Sequence, residues 1–122
     1  MTEVITPVAV ERRLIDLGAE LDKTTDYLID AEHKYSNAKT AWEINSAKAR
    51  MQIRQRALEK GVKITVSELE DESLLRCQDE LMALNTTDAT VKAARASVTR
   101  VRTQIEIARS VGTSVRTSLG SV

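Results

Sequence analysis

Cys77, Leu84, Val91, Val98 and Ile105 follow one another at intervals of seven residues. A period of seven corresponds to two turns of a helix packed against another helix. A strand cannot sustain it, because successive side chains on a strand change face. The first half of the chain carries the same signature. Apolar or small residues recur at Val10, Leu14, Leu17, Leu21, Leu28, Ala31, Tyr35, Ala38, Trp42 and Ala49, in steps of three, four or seven. The expected fold is therefore all-α. With four Gly and one Pro among 122 residues, turns should be few and elements long. Phe is absent and the aromatics are Tyr27, Tyr35 and Trp42, which argues for thin, repetitive packing rather than a globule filled by large rings.

The boundaries can be read from local chemistry. Thr6 can cap a helix whose first position is Pro7, and Gly61 supplies a stop, so a first helix is expected over about 7–60. Gly18 and the Thr24–Thr25 pair are places where it could bend. Residues 61–66, with the β-branched run Val62, Ile64, Thr65 and Val66, read as an extended connector. Ser67 followed by Glu70 fits a capping box, opening a second helix over about 67–119. Its stripe is Leu74, Cys77, Leu81, Leu84, Val91, Ala94, Val98, Val101, Ile105, Ala108, Val115 and Leu119. Asn85-Thr86-Thr87-Asp88 are poor helix formers, so a kink or break is expected near 85–88, which could give a third helix.

The formal charge of zero conceals four blocks. Residues 1–32 carry 3 basic and 8 acidic groups, 33–63 carry 8 and 2, 64–90 carry 1 and 7, and 91–122 carry 6 and 1. Folding the chain about residues 61–66 into a long antiparallel hairpin, a single helical domain over 1–122, sets residue i opposite roughly residue 126 − i and joins opposite signs in both pairings. Arg95, Arg102, Arg109 and Arg116 then fall opposite the zone of Asp30, Asp26, Asp16 and Glu11. Exposed pairs contribute only ~0–1 kcal/mol each, so the pattern selects a register more than it stabilises. The seam of this coiled coil is Leu14, Leu21, Leu28, Tyr35 and Trp42 against Leu84, Val91, Val98 and Ile105. One seam leaves Ile15, Ile29, Ile44, Met51, Ile53, Leu75 and Met82 without assured cover, and assembly into a homo-oligomer is expected.

Chemistry-bearing residues are sparse. His33 has no second histidine, and Cys77 is the lone cysteine and falls on the seam, where a thiol packs as a small apolar group. No glycine-rich phosphate loop occurs, so neither an enzyme nor a metal or cofactor site is expected. The start MTEVITPVAVERR lacks the order of a secretory signal, and no apolar run approaches ~18 residues, so a cytoplasmic protein without a membrane span is expected. The candidate functional surface is basic: Lys48, Arg50, Arg54, Arg56, Lys60 and Lys63, charges able to track a phosphate backbone. Trp42 and Tyr35 could stack bases, although both lie on the apolar stripe.

The run Lys48-Ala49-Arg50-Met51-Gln52-Ile53-Arg54-Gln55-Arg56-Ala57-Leu58-Glu59-Lys60-Gly61 before the connector, and Ala108-Arg109-Ser110-Val111-Gly112-Thr113-Ser114-Val115-Arg116-Thr117-Ser118-Leu119-Gly120 at the end, resemble the basic patch and closing helix of the UvsY-type phage recombination mediators. That resemblance implies a ring-like oligomer that binds single-stranded DNA and helps a RecA-like recombinase replace single-strand-binding protein, in the cytoplasm of the host cell if the chain is phage-encoded. It implies phosphate contacts by Arg54 and Arg56, with Lys48, Arg50 and Lys60. The tyrosines that the family places beside its basic pair have no counterpart, since Ala57, Leu58, Glu59 and Lys60 stand there. A phosphate-only, salt-sensitive mode is the corresponding expectation. The alternative is a structural or adaptor coiled coil whose charge blocks serve folding and self-association, and whose partners are proteins.

Overall fold

A computed structural model describes residues 4–120 of the chain. It is all-helical, with no strand among the described residues: α1 spans Pro7–Glu59, α2 Val66–Arg76 and α3 Gln78–Gly120. Helix α1 packs against α3 in a hairpin-like arrangement.

Helix α1 begins as its sequence dictates. The Ala9 N–H donates to Thr6 Oγ1 at 3.2 Å, and Pro7, which has no N–H to leave unsatisfied, takes the first helical position. The helix runs unbroken through Gly18 and Thr24, whose hydroxyl donates to the Glu20 and Leu21 carbonyls, both at 3.0 Å. It ends in a Schellman motif. The Val62 N–H bonds the Ala57 carbonyl at 3.0 Å and the Gly61 N–H bonds the Leu58 carbonyl at 3.2 Å, with Gly61 at a φ of 66°.

The second arm differs from the sequence expectation in two places. Helix α2 is capped two residues early: its cap is Thr65, not Ser67. Thr65 is extended, its Oγ1 accepts from the Glu68 N–H at 3.1 Å, and its carbonyl already accepts the first helical bond from Leu69. Thr65 and Glu68 have the same spacing as Ser67 and Glu70, and the earlier start adds helical hydrogen bonds.

The expected break near 85–88 is absent, and the chain instead breaks at Cys77, between α2 and α3. Within α3 the Thr87 hydroxyl donates to the Ala83 and Leu84 carbonyls at 2.8 and 3.0 Å, and the Thr90 hydroxyl donates to the Thr86 carbonyl at 3.0 Å, so these groups are satisfied without leaving the helix. At Cys77 two burial rows of different pitch meet. Leu69, Ser73 and Cys77 are buried at a spacing of four, whereas Cys77, Leu84, Val91 and Val98 repeat at seven. A spacing of four runs ahead of the 3.6-residue turn and a spacing of seven falls behind two turns, so one straight helix cannot hold both rows inward.

The chain divides into two compact units. One joins residues up to Asp30 with those from Lys92 onward, and the other is Ala31–Val91. In the first, Val10, Leu17, Ala94, Val98 and Val101 are buried, and Gly112 lets the helices approach: a Cβ there would lie 3.0 Å from Val10 Cγ1. In the second, Ala49, Ile53, Leu69, Cys77 and Val91 are buried, and polar contacts cross between helices. The Asn45 Nδ2 donates to Glu80 Oε1 at 3.1 Å, and the buried Ser73 hydroxyl donates to the Ser46 carbonyl at 3.3 Å. Asn45 thus sits one position from the 126 − i register, while Val10 and Gly112 sit four from it. A slip of one turn keeps the same face inward.

Of the seam residues, Val91 and Val98 are buried, while Leu14, Leu21, Leu28, Tyr35, Trp42, Leu84 and Ile105 are half-buried. On α1 the buried positions are Val10, Leu17 and Ala31, one step from that row, and Ser46, Ala49 and Ile53 nearer the turn. Ile53, left without assured cover by the sequence, is buried, whereas Leu74 and Leu119 on the expected stripe are exposed.

Candidate nucleic-acid interface

The end of α1, the turn and the start of α2 build the surface. Lys60, just past the end of α1, lies one turn beyond Arg56, its N–H donating to the Arg56 carbonyl at 3.1 Å. The Schellman turn at Gly61 reverses the chain and brings Lys63 back beside them. Arg56, Lys60 and Lys63 line one groove of about 260 Å³ together with Ile53, Ala57, Val62 and Ile64 and with Glu68 and Glu72 of α2. All three cations are exposed, and among the described residues none has a side-chain ion pair. Glu72 is held by Arg76, whose Nη2 lies 2.9 Å from Glu72 Oε1. The groove therefore presents three free cations against Glu68 and an already paired Glu72, a balance that favours an anion.

The remaining candidates point elsewhere. Arg54 and Arg56 are two residues apart, so on a helix their side chains diverge by about 200°. Lys48 and Arg54 are exposed, Arg50 is half-buried, and none of the three lines the groove. Tyr35 and Trp42 are half-buried on the helix seam and do not line it either. His33 is exposed, and Cys77 is buried as the cap between α2 and α3. In the other unit, Glu11, Arg109 and Arg116 line one small groove, where opposite charges of the first and last blocks lie near one another without an ion pair.

Hydrophobic periodicity missed the Ser46–Ser73 and Asn45–Glu80 contacts, because polar side chains carry no weight in an apolar stripe. Of the six basic residues that the sequence groups into one surface, Arg56, Lys60 and Lys63 share the groove. No helix among the described residues is long and apolar enough to cross a membrane. In comparison with known proteins, no family model, curated protein or solved structure matches this chain.

Proposed function

We propose that the protein binds single-stranded DNA through the groove of Arg56, Lys60 and Lys63 and acts, as an oligomer, as a recombination mediator that helps a RecA-like recombinase displace single-strand-binding protein. The observation that carries this reading is the convergence of three unpaired cations over an apolar floor at the turn. Phosphates would take the cations, and Val62 and Ile64 would offer a face to a base or sugar without reading sequence.

Anisotropy of a labelled oligonucleotide at two salt concentrations tests it. Three phosphate contacts to a single strand give a log–log slope of about −2, so raising salt from 50 to 200 mM should weaken binding by roughly an order of magnitude. The Arg56→Ala, Lys60→Ala, Lys63→Ala variant should lose binding. No binding by the wild type at 50 mM salt, or an unaffected triple variant, refutes the proposal. The mediator step is read separately, as recombinase loading onto DNA already coated with single-strand-binding protein.

A second reading, a structural or adaptor coiled coil working through self-association and protein partners, is favoured by a different observation. Ile44, Met51, Leu58, Leu75 and Met82 are all exposed, at 48%, 67%, 81%, 69% and 63%.

A further inference from the structure

Those exposed side chains are not scattered. Ile44, Met51 and Leu58 repeat at seven along α1, on the side away from the buried Ser46, Ala49 and Ile53. Lys48 lies between the first two and Arg54 between the last two, at spacings of three and four, so both flank the row. The other arm of the same unit carries a second row, Leu75, Met82 and Ala89, also at seven and also exposed, facing away from the buried Cys77 and Val91. Around Leu75 and Met82 its flanking charges are opposite in sign. Asp71 lies four residues before Leu75, and Asp79 lies four after Leu75 and three before Met82. The first row spans 14 residues of one helix, about 21 Å, and the second spans as many residues across the break at Cys77, with Leu75 on α2 and Met82 and Ala89 on α3. One molecule thus bears two exposed apolar strips, one edged with base and one edged with acid around Leu75 and Met82.

We propose that the occupant of each strip is a second copy of this chain: the basic-edged row of α1 docks on the acid-edged row of α2 and α3 in the next copy. The charges choose this partner, since each strip is repelled by its own kind and matched by the other. Because the two strips differ, the contact is head-to-tail, and each copy retains one open strip of each kind until a ring closes or a filament extends. The inference rests on the reading that the protein acts as an oligomer. It uses none of the three cations of the DNA groove, so DNA binding and this contact between copies fail separately.

Sedimentation velocity of the full chain without DNA, over a concentration series, is the test. Wild type should sediment as a multiple of the 13.5 kDa chain. Lys48→Glu with Arg54→Glu makes both strips acid-edged, and Asp71→Lys with Asp79→Lys makes both base-edged. Each double variant alone should be monomeric, and an equimolar mixture should assemble again. If either loses its helical circular dichroism, Met51→Ser with Leu58→Ser, which alters only exposed side chains, should give a monomer in its place. A wild type that stays monomeric, as expected if the strips take another protein's helix, overturns the proposal. Double variants that assemble alone, a mixture that stays monomeric, or a serine variant that still assembles overturn it equally.

Discussion

Gly61 stands at a φ of 66° with open space where a side chain would go, so the cost of adding one is purely that of the backbone. Gly61→Ala should destabilise by about 1–2 kcal/mol in urea unfolding, the left-handed penalty of an L-residue, without altering the folded contacts. Gly112 presents the opposite case, a helical glycine whose absent Cβ makes room for Val10. Gly112→Ala gains roughly 1 kcal/mol of helix propensity and spends it on the 3.0 Å approach to Val10 Cγ1. It should therefore be within about 0.5 kcal/mol of neutral in wild type and stabilising by about 1 kcal/mol in a Val10→Ala background, a coupling that a double-mutant cycle measures. The first of these glycines is legible because it follows a helical stripe and precedes a β-branched run. The second lies within a stripe, and its role exists only once Val10 is beside it.

Element ends were legible where a side chain bonds its own neighbourhood. Thr6, Pro7 and Gly61 act within four residues of themselves, and the structure uses all three as their types require. The start of α2 was ambiguous because two Ser/Thr–Glu pairs overlap. Thr65→Ala should cost about 1 kcal/mol and speed amide exchange at Glu68, whereas Ser67→Ala should stay within ±0.5 kcal/mol of wild type. Equal losses would contradict Thr65 as the cap. The break at Cys77 was not legible, because it follows from two burial rows competing for a partner, and a row of spacing four three residues long is invisible as a pattern. Propensity pointed instead to Asn85–Asp88, where hydroxyls bonding back to the helix and burial of the flanking seam outweigh it.

Across the whole molecule the charge blocks and the compact units nearly coincide. The unit containing both chain ends joins the first acidic and last basic blocks, and Ala31–Val91 joins the two central blocks. Each unit is close to neutral, but Arg102 and Arg109 are exposed and have no ion-pair partner among the described residues, so the attraction is diffuse. Arg102→Glu with Arg109→Glu should therefore lower stability by only about 1 kcal/mol at low salt, with the loss fading by 0.5 M salt in thermal unfolding, as screened surface charges require. What the amino-acid sequence by itself determined is the all-helical hairpin, its turn at Gly61 and the matching of charge blocks, because period, caps and net charge are properties of near neighbours and of sums. Only the tertiary structure decided which basic residues share a groove, where the second arm breaks and which apolar rows stay uncovered. Those depend on which face each helix turns towards its partner, and a half-turn separates Arg54 from Arg56, and Met51 from Ile53.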